Sequence, residues 1–158
     1  MKKFARIIGT GSYLPPKIVT NFDLEKTLDT TDEWIKARTG IKERRIVTSE
    51  NTCDLALEAS INALSMSELK PQDIDLIILS TTTPDKIFPA TATILQQRLG
   101  ASCPAFDVQA VCAGFVFALN TAQQYIENGS AKNILVIGSE TMSKIVDWND
   151  RSTAILFA

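Results

Sequence analysis

The sequence contains no histidine. Histidine is the usual proton shuttle near neutral pH, so a mechanism that needs one must draw it from outside these residues. Cysteine is scarce, with only Cys53, Cys103 and Cys112. Their spacing forms no metal-binding pair and no even disulfide set. A reducing, cytoplasmic setting fits that usage. No apolar run approaches the roughly 18 residues of a membrane span, and Lys2-Lys3-Phe4-Ala5-Arg6 does not open a secretory signal. Lys and Arg number 16 against 18 Asp and Glu, a net charge of −2. That balance excludes a strong field for nucleic acid or an acidic membrane. The local cluster Lys42, Arg44 and Arg45 reads as a solvated loop or strand end.

What is present is ordinary for a soluble globular chain: 158 residues, 45% hydrophobic and 22% charged, enough to bury a core. Residues 4–9 read as a first strand, ended by the turn Gly9-Thr10-Gly11-Ser12-Tyr13-Leu14-Pro15-Pro16. The Gly-x-Gly is a weak nucleotide signal, because leucine stands at the third glycine position and prolines replace the helix start. Asn21 caps a short helix to about Leu28. Thr30-x-x-Glu33 is a capping box for a second helix, with Asp32 at its positive end and Gly40 as its stop. Thr52 caps a third helix, with Leu55, Ala56, Ala59, Ala63 and Leu64 at helical spacing.

Residues 75–80 and 133–138 are apolar enough for strands buried on both faces. Residues 104–110 are a further strand, and 91–99 and 113–128 are helices closed by Gly100 and Gly129. Residues 152–158 begin one more strand. The chain stops inside the apolar run Ile155-Leu156-Phe157-Ala158, which reads as a truncation. Strands alternating with helices imply a layered α/β fold with a mainly parallel sheet.

Cys112 lies in Ala110-Val111-Cys112-Ala113-Gly114-Phe115, at the turn from a strand into a helix. Unpaired backbone N–H groups and the helix dipole there favour negative charge on sulfur. Ala113 and Gly114 let an acyl group approach, and the apolar residues 115–119 predict a buried helix start with the sulfur at the base of a pocket. An inert buried thiol is the competing reading of this position. Cys53 also begins a helix but lacks the preceding strand and small neighbours. It reads as structural, as does Cys103.

The motif Asp107-Val108-x-Ala110-x-Cys112-Ala113-Gly114-Phe115 resembles the nucleophile motif of β-ketoacyl-acyl-carrier-protein synthase III. The resemblance continues through Ile8-Gly9-Thr10-Gly11-Ser12-Tyr13-Leu14-Pro15, Thr31-Asp32-Glu33-Trp34-Ile35, Arg38-Thr39-Gly40-Ile41-Lys42-Glu43-Arg44, Phe88-Pro89-Ala90 and Asp150-Arg151-x-Thr153. It implies a thiolase-like layered fold of two similar halves with a mixed, mainly parallel sheet, of which residues 1–158 are the N-terminal half, and a homodimer. It implies that Cys112 takes a short acyl group, with acetyl the expected one, from acyl-CoA. A histidine and an asparagine of the absent C-terminal half then help decarboxylate malonyl-acyl-carrier protein for condensation, which initiates type II fatty acid synthesis. No cofactor or metal is implied, acyl-CoA being a substrate. By the same resemblance Thr30, Trp34, Arg38, Thr39 and Arg151 bind coenzyme A, with an indole and a guanidinium able to sandwich the base. Phe88 shapes a short acyl pocket across the dimer interface.

Two rival readings remain. One is another condensing enzyme of the same fold, for instance of secondary metabolism. The other is a non-catalytic half that serves only in assembly, against which the complete Cys112 motif argues.

Overall fold

The structure is a computed structural model describing residues 4–157. Its elements in chain order are β1 (Lys17–Thr20), α1 (Asn21–Glu25), α2 (Asp32–Thr39), β2 (Glu43–Ile46), α3 (Thr52–Ser67), β3 (Leu76–Ser80), α4 (Thr91–Leu99), β4 (Ala105–Val108), α5 (Gly114–Glu127), β5 (Ile134–Gly138) and α6 (Arg151–Ala154). They form two compact units. One holds the described residues up to Tyr13 and Asn51–Glu140; the other holds Leu14–Glu50 and the described residues from Thr141 onward.

The first unit is built on a parallel sheet in the order β4-β3-β5. Leu76-Ile77-Ile78-Leu79-Ser80 takes the centre because every one of its residues is buried. Its alternate side chains serve two cores. Ile77 and Leu79 pack with Ala56 and Leu64 of α3 and Leu95 of α4. Leu76 and Ile78 pack with Ala118 and Ala122 of α5. Each fully buried Leu or Ile contributes about 1.5–3 kcal/mol relative to exposure, so this strand anchors a helix–sheet–helix stack.

The N-terminus of α4 follows Ala90, which has no capping side chain. Asp107 at the end of β4 supplies the cap instead, accepting from the Thr91 and Ala92 amides at 2.8 and 2.7 Å. The first carboxylate of the cysteine motif is thus a structural brace between strand and helix.

The expected first strand does not form, since residues 4–9 carry no ladder. Residues 5–11 and the β5 residues Ile134–Gly138 line a common cavity of about 770 Å³, whereas paired strands lie about 5 Å apart. The Gly-x-Gly of this segment has a packing role. A Cβ at Gly9 would fall 2.5 Å from the Ala63 carbonyl, and one at Gly11 would overlap that of Ala59. The glycines let this segment lie against the α3 backbone.

The second unit pairs β1 and β2 antiparallel, Val19 opposite Arg44. The antiparallel strands therefore form their own two-stranded sheet and do not make the parallel sheet mixed. Thr20, not Asn21, caps α1, in a capping box with Asp23. Asn21 is buried, its amide donating to Asp32 at 2.9 Å and to the Ile41 carbonyl at 2.8 Å. Thr31, not Thr30, caps α2, accepting from the Trp34 amide at 3.1 Å. In the first unit, likewise, Asn51 and not Thr52 holds the cap position of α3.

Arg44 is buried and not solvated. It donates to the Val19 carbonyl, Asn21 Oδ1 and the Ile155 carbonyl. Residues 151–154 form helix, not strand, because Asp150 caps them through the Ser152 amide at 2.9 Å. Leu24, Ile35 and Ile155 make the core of this unit.

Candidate active site

In the first unit, β4 ends at Val108 and a single 3₁₀ turn, Val111–Ala113, leads into α5. Cys112 is the middle residue of that turn. Val111 has φ +49°, a left-handed conformation that a β-branched residue adopts only under constraint from its surroundings. Ala113 N–H returns to the Ala110 carbonyl at 3.1 Å and closes the turn. Among the described residues the Cys112 N–H meets no acceptor. Gly114 presses the start of α5 against the central strand, where a Cβ would overlap Ser80 Oγ.

The three thiols differ sharply. Cys53 and Cys103 are buried and Cys112 is exposed. Burial pushes the Cys53 thiol up, against the opposing effect of Arg98, and burial likewise raises Cys103. Cys112 is exposed and not at the base of a closed pocket, and although Gly114 is buried the apolar residues that follow it are not. Phe115, Val116 and Phe117 are 44%, 63% and 54% exposed. Phe115 and Val116 line the 770 Å³ cavity with residues 5–11, and the Phe115 ring faces Gly138, so they are partly lined by protein and still largely exposed. Cys112 is also not among the residues lining the 770 Å³ cavity. Phe88 is exposed too, at 82%.

The other expected site residues lie in the second unit. The Arg38 guanidinium carbon stands 4.6 Å from the Trp34 ring centroid and that of Arg151 5.0 Å from it. Arg151 Nη1 donates to the Asp29 carbonyl at 2.9 Å. Both cations already sit over the indole, so a base held between Trp34 and a guanidinium requires one of them to withdraw. Two stacking contacts of about 3.5 Å need about 7 Å between the flanking groups. The Thr30 hydroxyl oxygen is buried and, among the described residues, lacks a hydrogen-bond partner. The Thr39 hydroxyl is engaged, donating to the Ile35 carbonyl at 2.7 Å and accepting from the Ile41 amide at 3.0 Å. The structure thus gathers Trp34, Arg38 and Arg151, while Thr39 serves the end of its helix.

Among the described residues no group of three or more Cys, Asp or Glu is arranged to hold a metal ion, and no helix is long and apolar enough to cross a membrane. Sequence reasoning passed over Ser80 and residues 81–83, which end the central strand beside the cysteine turn. The run Thr81-Thr82-Thr83 directly after a buried strand was the available signal.

Residues 106–158, which include the cysteine turn, match the family described as 3-oxoacyl-[acyl-carrier-protein (ACP)] synthase III. A curated β-ketoacyl-[acyl-carrier-protein] synthase III from Vesicomyosocius okutanii is 68% identical over 157 residues, covering 99% of this chain and 50% of that protein. The chain belongs to the β-ketoacyl-acyl-carrier-protein synthase III family. It spans about half the length of the curated relatives it matches. The crystal structure of the family member from Aquifex aeolicus superposes with a TM-score of 0.92 at 52% identity, over 98% of this chain and 50% of that one. A priming β-ketosynthase from a polyketide biosynthetic pathway superposes at 0.94 with 36% identity, over 98% and 47%. The fold is therefore thiolase-like α/β, as the synthase III resemblance implied, with a parallel sheet.

Proposed function

We propose that this chain is the N-terminal, acyl-accepting half of a condensing enzyme that loads a short acyl group from acyl-CoA, acetyl by preference, onto Cys112. The observation that carries this reading is the exposed thiol on a constrained turn at the head of α5, in a synthase III chain whose other cysteines are buried. The Cys112 sulfur, as thiolate, attacks the thioester carbonyl. The resulting oxyanion is met by the unengaged Cys112 N–H. The carbonyl re-forms, coenzyme A leaves as its thiolate, and the acyl group stays on sulfur.

The acyl enzyme then condenses with malonyl-acyl-carrier protein. Decarboxylation leaves a carbanion, which attacks the acyl carbonyl, releases the cysteine and gives a β-ketoacyl product. The sequence has no histidine, so the histidine of this step comes from outside these residues, and the synthase III resemblance puts the asparagine with it in the second half. Trp34, Arg38 and Arg151 grip the coenzyme A base and phosphates, with the unpaired Thr30 hydroxyl beside them and Thr39 holding the helix end. Exposed Ile87 and Phe88 fit burial against a second copy in a homodimer, where Phe88 limits the acyl length. The thiol chemistry suits the reducing cytoplasm.

A second reading has a specific basis. The likeness to a polyketide priming ketosynthase keeps the same chemistry but assigns it to secondary metabolism. The test is to incubate the full-length protein with acetyl-CoA and map peptides by mass spectrometry. Acetyl on Cys112, lost in Cys112→Ser, supports the proposal, and absence of any acetylation overturns the acetyl-primed form of it. Turnover with malonyl-acyl-carrier protein then separates fatty acid from polyketide use by the acceptor taken.

A further inference from the structure

Parallel α/β sheets present ligands at the carboxyl ends of their strands. Here that end carries a polar device the proposed chemistry does not use. Glu140 stands two residues beyond β5 and reaches across to the end of the central strand β3. Its Oε1 accepts from the Thr82 amide at 2.7 Å and the Thr82 hydroxyl at 2.9 Å. Its Oε2 accepts from the Thr83 amide at 3.1 Å, from the Thr83 hydroxyl and from the Thr81 hydroxyl at 3.3 Å. One carboxylate thus takes five donors from three consecutive residues, two of them backbone amides.

The loop so pinned touches the cysteine side of the sheet. The Thr81 amide donates to the Val108 carbonyl at 3.2 Å, the last residue of β4 and four before the thiol. Ser80, one residue earlier, is the surface on which Gly114 seats the start of α5. On the opposite side the Ser139 amide donates to the Ser80 carbonyl at 3.2 Å. The cysteine turn is therefore braced against a strand end that Glu140 holds from the far side. We infer that Glu140 is a positioning residue for Cys112, acting through residues 80–83.

The inference rests on the acyl-transfer reading for its kinetic arm. In the full-length protein, acetylation of Cys112 is followed in single turnover against acetyl-CoA concentration for Glu140→Ala, Glu140→Gln and Glu140→Asp. Displacements near 1 Å at a reacting group cost about 100-fold in rate. The maximal rate of Glu140→Ala is expected to fall about 10- to 100-fold, with the half-saturating acetyl-CoA concentration unchanged, because the base-gripping cluster belongs to the other unit. Glu140→Asp, which keeps the carboxylate, recovers part of the rate. An unchanged maximal rate in Glu140→Ala, or a loss lying wholly in half-saturation, overturns the inference. Where Glu140→Ala does not fold, Thr82→Val removes one donor and carries the same expectation at smaller size. Iodoacetamide alkylation of Cys112, read by peptide mass, forms a second arm independent of coenzyme A. A changed alkylation rate in the Glu140 variants supports positioning and an unchanged one overturns it. Failure of wild-type acetylation alone counts against the acyl-transfer reading and leaves that second arm to decide.

Discussion

Placing a methyl group at Gly114 tests how tightly the cysteine turn is seated. In Gly114→Ala the new Cβ overlaps Ser80 Oγ and lies 3.4 Å from Ser80 Cβ. Ser80 is buried, so neither side yields freely. Overpacking of this kind costs about 1–3 kcal/mol. The better helix propensity of alanine returns at most about 1 kcal/mol, and less at a first helical residue. A net loss of about 1–2 kcal/mol in urea unfolding follows. The larger effect is expected in rate. Relief of the overlap moves the head of α5 and Cys112 with it, and about 1 Å of displacement lowers acylation about 100-fold.

The pair with Ser80→Ala makes the reasoning specific. That change removes the offending oxygen and leaves only the 3.4 Å carbon contact, which is ordinary. Ser80→Ala/Gly114→Ala is therefore expected to regain most of the lost rate and stability, with a coupling of about 1–2 kcal/mol in the double-mutant cycle. A double variant as impaired as Gly114→Ala, with coupling near zero, refutes the claim that this contact seats the turn.

Iodoacetamide is expected to label Cys112 first, with Cys53 and Cys103 reacting only on unfolding, since burial shields both and raises their thiols; peptide mapping over time checks the order. Trp34→Ala removes the stacking platform, and a base–aromatic stack of about 1–3 kcal/mol predicts a rise of about 5- to 150-fold in half-saturating acyl-CoA with little change in maximal rate. Glu50 is held at about 2, below its usual 4.5, mainly by the Thr48 amide and also by its own and that of Ser49. A depressed carboxylate stabilises the fold above 4.5 and loses that contribution as pH falls towards 2. The stability gap between wild type and Glu50→Gln is therefore expected to be widest above pH 4.5 and to close near pH 2; a gap independent of pH contradicts the assignment.

The parallel core was legible because its signals are local and redundant. An unbroken apolar run such as Leu76-Ile77-Ile78-Leu79 has few alternatives to a central strand, and glycines closed α2 and α4 where expected. Helix starts were displaced by one residue. Thr20, Thr31 and Asn51 stand beside other good capping residues, and only backbone direction chooses among them. Arg44 looked solvated because its acceptors, Asn21 Oδ1 and two carbonyls, are distant in sequence. The first strand failed for a similar reason, since an apolar segment becomes a strand only where a free edge comes within reach. The position of Cys112 at a strand–helix turn was legible, but its exposure was not. Apolar neighbours predict burial only if something is there to cover them.

The second unit is assembled from stretches far apart in the chain, which bears on its synthesis. Its core joins Leu24 and Ile35 to Ile155, and Arg44 reaches the Ile155 carbonyl across 111 residues. A ribosome adding roughly 5–20 residues per second takes roughly 5–20 s to make that intervening length. Throughout that interval Arg44 lacks its last partner, whereas every residue of the thiol-bearing unit has been made once Glu140 is added. The nascent chain thus meets its first opportunity to close the unit that holds Trp34, Arg38 and Arg151 only after the whole thiol-bearing unit has left the peptidyl-transferase centre.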